Sequence, residues 1–177
     1  MINNITDLLI VKDNFFSDEI YKKIVHDIST LPFTNRSIDL SAKGNNSVYQ
    51  KLYFHVPLDI NHFAVTEVDR LLSNFGFDLK RCEHCYFLSA KHKEASPHDD
   101  SLVDLNCLIY IKGEELINSG TGFYDKKENE YVLNRHIGFK ENRAIIFDSR
   151  ISHASLQFNE GSEKRYIISN FFKYKDK

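Results

Sequence analysis

Two stretches of the chain carry a helical period, and both lie in its first half. In "SDEIYKKIVHDISTL", Ile20, Ile24, Val25, Ile28 and Leu31 recur at three- and four-residue spacing, so one face is apolar. Ser17 fits the N-cap, and Asp18 and Glu19 suit the positive end of the first turn. "NHFAVTEVDRLLSNF" repeats the pattern with Phe63, Val68, Leu71, Leu72 and Phe75 on one side. Ahead of these helices "DLLIVKDNFF" reads as a strand and turn, and between them "VYQKLYFHVPL" reads as a strand. From Arg81 onward the pattern changes. "HCYFLSA", "LVDLNCLIYI", "GTGFYD", "EYVLN", "RAIIFD" and "RYIISNFFKY" are short, rich in β-branched and aromatic residues, and separated by polar or Gly turns. The prediction is a mainly β protein with N-terminal helices (α+β), an all-β barrel or sandwich braced by two helices. Residues 1–80 supply the helical support and first strands, and residues 81–177 the β core, of a single domain spanning 1–177. Two segments, Phe33 to Ser47 and Ile117 to Asn134, are expected as loops that shape specificity, with Gly120 to Gly122 as a hairpin turn.

Composition narrows the class of function. A chain of 177 residues holds one domain with a real core. Its 42% hydrophobic and 27% charged residues are those of a soluble globular protein. A net charge of -2 gives no basic field to hold a nucleic-acid backbone, so no nucleic-acid partner is expected. No apolar run approaches the roughly 20 residues that span a bilayer, and no leader-like segment opens the chain, so no membrane partner and a cytoplasmic location are expected. Cys82, Cys85 and Cys107 form no disulfide framework, and "CEHC" has no second pair to complete a zinc site. His26, His55, His62, His84 and His92 read as structural or surface residues.

The chemistry concentrates in "EASPHDDSLVDLN". His98 and Asp100, one residue apart, project on the same side of an extended segment, while Asp99 points the other way. Two imidazoles and one carboxylate on one face of an Fe(II) ion leave its remaining positions open for a co-substrate and O₂. The second histidine should come from a late strand. His136 and His153 are the candidates, and His153 is preferred because it follows the apolar strand "RAIIFD" and a short polar turn. A keto-acid co-substrate such as 2-oxoglutarate would leave a distant carboxylate buried, which demands a cationic partner. Arg165 opens the last apolar strand, twelve residues after His153, and a hairpin of that length would bring its guanidinium near the metal. The formal charges of ferrous ion, Asp100, the dianion and Arg165 then cancel.

His98-x-Asp100, His153 and Arg165 together resemble the site of the Fe(II)/2-oxoglutarate-dependent dioxygenases, and the chain is most similar to their prolyl-hydroxylase-like branch. The resemblance runs through "KDNFFSDEIYKKIV", "CYFLSAKHKEASPHDD", "LIYIKGEELINSGTGFYD" and "NRAIIFDSRISHAS". It implies a double-stranded β-helix (jelly-roll, cupin-like) core with Fe(II) held by His98, Asp100 and His153. It also implies that Arg165 holds the far carboxylate of 2-oxoglutarate, and that Tyr86 hydrogen-bonds the same group. Two departures stand out: the segment "QFNEGSEK" between His153 and Arg165 is longer than in many members, and Ile167 replaces a hydroxyl residue that some carry there, with Ser169 two positions further on.

The expected activity is an oxidoreductase, a hydroxylase acting on an aliphatic C–H bond with Fe(II), 2-oxoglutarate and O₂. The carboxylate at Asp100 occupies the position that a halogenase leaves open for halide. The substrate is a peptidyl, prolyl-type side chain or, alternatively, a free amino acid or other small molecule. From another class of function, a non-catalytic jelly-roll binding module with a vestigial metal site has the same core; intact ligands at all three positions argue against it.

Overall fold

Strands buried on both faces show apolar runs without a visible period, and three such strands form the centre of this fold. A computed structural model describes residues 8–31, 34–35, 53–89, 96–115, 119–128, 130–157 and 165–175. The elements run β1 (Leu9–Lys12), α1 (Asp18–Thr30), β2 (Thr34–Asn35), β3 (Tyr53–Pro57), α2 (Phe63–Asn74), β4 (Leu79–Ser89), β5 (Leu105–Lys112), β6 (Ser119–Lys127), β7 (Glu130–Gly138), β8 (Arg143–Asp148), β9 (Ser152–Gln157) and β10 (Arg165–Tyr174). Seven strands form one sheet in the order β1-β8-β5-β10-β4-β3-β2, and three form a second in the order β7-β6-β9. All the strand pairs are antiparallel. The result is the jelly-roll core expected from the sequence.

Side chains of β5, β8 and β10 alternate between two cores. Leu105, Cys107, Ile109, Ile111, Ala144, Ile146, Ile168 and Phe172 join Ile24, Ile28, Ala64, Val68 and Leu72 of the helices. Tyr110, Ile145 and Phe147 face the other way, with Phe123 and Phe139 from the second-sheet side. Each fully buried side chain of this kind contributes roughly 1.5–3 kcal/mol. The larger core therefore glues the helices to the sheet, and the smaller one holds the sandwich together.

Both helices follow their predicted faces. Ser17 caps α1, its Oγ accepting from Ile20 N. His62 caps α2 through Nδ1, which accepts from Ala64 N, while its Nε2 lies 3.0 Å from Asp27 Oδ2 on α1. Phe75 departs from expectation: it sits past the end of α2 and is 41% exposed.

Of the two loop expectations, the second changes. Residues 36–47 of the first lie outside the described residues. Most of Ile117 to Asn134 is a strand pair, β6 with β7, with its bend at Glu128, whose φ is 53°. Gly120 to Gly122 lie inside β6 rather than at a turn. The glycine at 120 is needed for close strand approach: its φ is 149°, and a Cβ there would lie 2.0 Å from the Ile137 carbonyl oxygen.

Candidate metal centre at the mouth of the jelly roll

His98 and His153 are brought together by their own backbones. His98 N donates to His153 O at 3.1 Å, and His153 N donates to His98 O at 2.8 Å, a one-rung antiparallel bridge. Reciprocal bonding sets the two side chains on the same side, and their ring centroids are 4.7 Å apart. Asp100 extends the same attachment, donating from its backbone N to Ser149 O at 2.8 Å. The segment is then stitched to the main sheet by Asp104 N to Phe172 O at 2.8 Å and Ser149 N to Asp104 O at 3.2 Å. Thus the pair at 98 and 100 sits on an irregular stretch before β5, pinned to the β8–β9 turn, and not on a regular strand.

The three side chains converge. One potential ligand atom from each of His98, Asp100 and His153 lies within 4.8 Å of the others, and this is the one such group among the described residues. His153 Nε2 stands 3.4 Å from Asp100 Oδ2. Two donors each roughly 2.1 Å from a first-row ion are at most about 4.2 Å apart, so small side-chain rotations close the set. Backbone carbonyls two residues earlier engage the other ring nitrogens: His98 Nδ1 with Ser96 O at 3.2 Å, and His153 Nδ1 with Ile151 O at 3.0 Å. That contact places the ring proton on Nδ1 and the lone pair on Nε2, the arrangement a metal-ligating histidine requires.

Burial differs across the group. His98 is exposed and His153 buried, with the Asp100 side chain 25% exposed between them. The set therefore opens to solvent on the His98 side. Burial pushes the pKa of His153 down, helped by the neighbouring His98 and opposed by Asp100, so its imidazole stays neutral at neutral pH. Phe147 meets the His153 ring nearly edge-on at 4.8 Å between centroids and closes the inner side. Asp99 is exposed and accepts from Ser101 N, as expected of a turn residue. His136 on β7 stands outside the group.

Arg165 is buried at 5% exposure, which removes a surface ion pair as its role. The expected hairpin from His153 is not what brings it in. β9 belongs to the three-stranded sheet and β10 to the seven-stranded one, so the chain crosses between sheets and Arg165 reaches back across the sandwich. Its Nη1 donates to Gly120 O at 3.1 Å and Leu156 O at 3.3 Å, and its Nη2 donates to Ser155 Oγ. Ser155 lies two residues beyond His153 on β9, so both positions fall on one face of that strand, roughly 7 Å apart.

Sequence reasoning missed Tyr110. It pairs with Ile167 and stacks on Phe139, whose ring also lies 5.9 Å from the Arg165 guanidinium carbon. Its hydroxyl is 2.7 Å from Thr121 Oγ1. Burial raises its pKa to about 12, against the opposing pull of Arg165, so it carries its proton at neutral pH. Tyr86 pairs through its backbone with Ile168 and Val56, and its side chain lies outside the described residues. Cys82 and Cys107 are free thiols.

No protein-family model matches the chain, and no curated protein matches it in sequence. Solved structures do. The non-heme alpha-ketoglutarate-dependent epimerase SnoN from nogalamycin biosynthesis superposes with a TM-score of 0.68 at 10% identity, covering 96% of this chain and 78% of that one. HygX from Streptomyces hygroscopicus, solved with nickel and 2-oxoglutarate bound, gives 0.62 at 12% identity, covering 97% and 84%. A prolyl hydroxylase from Trichoplax adhaerens, in complex with a hypoxia inducible factor peptide fragment, gives 0.61 at 14% identity, covering 94% and 83%. The chain has the fold of these three structures across nearly its whole length.

Proposed function

We propose that this protein is an Fe(II)- and 2-oxoglutarate-dependent dioxygenase that hydroxylates an aliphatic C–H bond. The observation that carries the reading is the convergence of His98, Asp100 and His153 at the mouth of this particular fold. Two neutral imidazoles and a carboxylate on one side of a site fit Fe(II) and leave the remaining positions for exchangeable ligands. The bound ion and its keto-acid partner supply the activation of O₂, which no side chain can provide.

The chain's own residues do the rest. His98 and His153 present Nε2 lone pairs, each ring held in its tautomer by a backbone carbonyl. Asp100 lowers the charge of the centre so that an anionic co-substrate can still be attracted. Arg165 holds the far carboxylate of 2-oxoglutarate; its Nη2 bonds Ser155, which shares a face of β9 with His153. The protonated Tyr110 hydroxyl donates to the same carboxylate, with Thr121 fixing its direction. Tyr86 is proposed as a further donor to 2-oxoglutarate. Phe123, Phe139 and Phe147 keep water from the inner side, and substrate enters where His98 is exposed. A peptidyl side chain is the first choice of substrate, in keeping with the prolyl hydroxylase likeness. A small molecule is the second, since the epimerase and HygX superpose at TM-scores of 0.68 and 0.62, against 0.61 for the prolyl hydroxylase.

Anaerobic addition of Fe(II) and 2-oxoglutarate should produce a weak visible charge-transfer band, and admission of air should release succinate. Peptides and free amino acids can then be screened for stimulated release. Arg165→Ala should raise the 2-oxoglutarate requirement at least about tenfold, the value of a lost charge-assisted pair, and leave Fe(II) affinity nearly unchanged. Neither band nor succinate with the wild-type protein would leave only a binding module.

A further inference from the structure

Asn106 lies on β5 and is 1% exposed. Its register partner on β8 is Phe147, which packs on His153, so it occupies the sandwich side of the sheet. Its Nδ2 donates to Asp100 Oδ2 at 2.6 Å. That same oxygen is the one 3.4 Å from His153 Nε2. A carboxylate only accepts, so this short contact fixes which end of the amide faces Asp100. Oδ1 then follows from planarity, and sits within about 5 Å of the carboxylate oxygen, given amide bond lengths.

Oδ1 is buried and receives no hydrogen bond from any described residue. Asn142 shows what a structural asparagine does in this protein. Its Oδ1 accepts from Phe16 N and its Nδ2 donates to Phe16 O, both at 2.9 Å, so both ends are closed. Asn106 closes one end on a metal-ligand carboxylate and leaves the other as a buried acceptor.

We propose that Asn106 is a positioning residue of the metal centre. Its N–H holds Asp100 with Oδ2 turned toward His153, and its carbonyl oxygen accepts a hydrogen bond from a water that enters with the ion. The inference rests on the metal-site reading above and deepens it.

Cobalt(II) titration of the apoprotein, followed by visible absorption and melting temperature, tests it without turnover. Asn106→Leu should lower Co(II) affinity ten- to a hundredfold, the usual penalty for losing a partner of a metal ligand. It should also change the d–d spectrum, while the melting temperature of the apoprotein holds or rises. In an Asp100→Ala background the same substitution should add no further loss of affinity, because its route runs through that carboxylate. Should Asn106→Leu not fold, Asn106→Ala carries the same expectations. A wild-type affinity and spectrum in the folded variant overturns the role of Asn106 and leaves the metal site standing. A wild-type protein that takes up no Co(II) overturns the metal site itself. A Co(II)-loaded crystal structure with no ordered water at Asn106 Oδ1 removes the second half of the proposal.

Discussion

The two faces of the central sheet have different occupations, although the same three strands build both. The helix-side face is almost wholly Leu, Ile, Ala and Phe, with 16 buried residues in one cluster among the described residues. Its polar exceptions include Asn170, whose Nδ2 donates to the Cys107 carbonyl, and Asp148, whose carboxylate accepts from Arg150. The sandwich face has a cluster of five buried apolar residues among those described, and shares its space with Asn106, Ser119, Thr121, His153, Arg165 and Ser169, all buried. A strand's period of two lets one run of sequence serve stability on one side and chemistry on the other. The division implies that substitutions on the two faces should fail in different ways.

The largest separation is expected at Asp100. Asp100→Ala should abolish succinate release, and calorimetry should find the melting temperature within a few degrees of wild type, since the side chain is one quarter exposed. Residual turnover at the wild-type rate would remove it from the ligand set. Phe172→Ala probes the opposite face. Phe172 is 1% exposed in the helix-side cluster, and truncation there should cost about 3–5 kcal/mol in denaturant unfolding. Below the unfolding transition its metal affinity should match wild type. A variant that loses metal while fully folded would show the faces to be coupled.

The smallest effect lies at the edge of both. Asp13 binds Arg143 through Nε at 2.6 Å and Lys140 at 2.9 Å. Hydrogen bonding to Arg143, then to Lys140, holds its carboxyl far below the ordinary 3.8. A depressed folded-state pKa means stabilisation present above the ordinary value and lost as pH falls through the folded one. The Asp13→Asn variant should therefore melt below wild type near neutral pH, with the gap narrowing under acid. Because Asp13 is 36% exposed, solvent screens the pair and the difference should be modest. A gap that widens on acidification would contradict the assignment.

How much of this was readable in the chain depended on where the period survived. The helices were legible because their polar faces meet solvent, and the start of α1 because Ser17 caps it with ordinary turn chemistry. The converging group was legible because His98 and Asp100 lie one residue apart in a polar segment, and His153 follows an apolar strand. Asn106 and Tyr110 were hidden in "LNCLIYIK", where both faces are buried and the alternation vanishes. A lone Asn inside a continuous apolar run was the available signal. The route of Arg165 was illegible for a different reason: sequence separation does not say that β9 and β10 belong to different sheets. Gly120 looked like a turn because glycine's need for close approach inside a strand leaves the same mark.

The central claim is that one ion sits between three side chains drawn from two distant segments. Anomalous scattering from crystals grown with Ni(II), recorded at the metal edge, tests it directly. The account predicts one peak per chain, bonded to the Nε2 atoms of His98 and His153 and to Asp100 Oδ2. A peak elsewhere, or none at saturating metal, contradicts it.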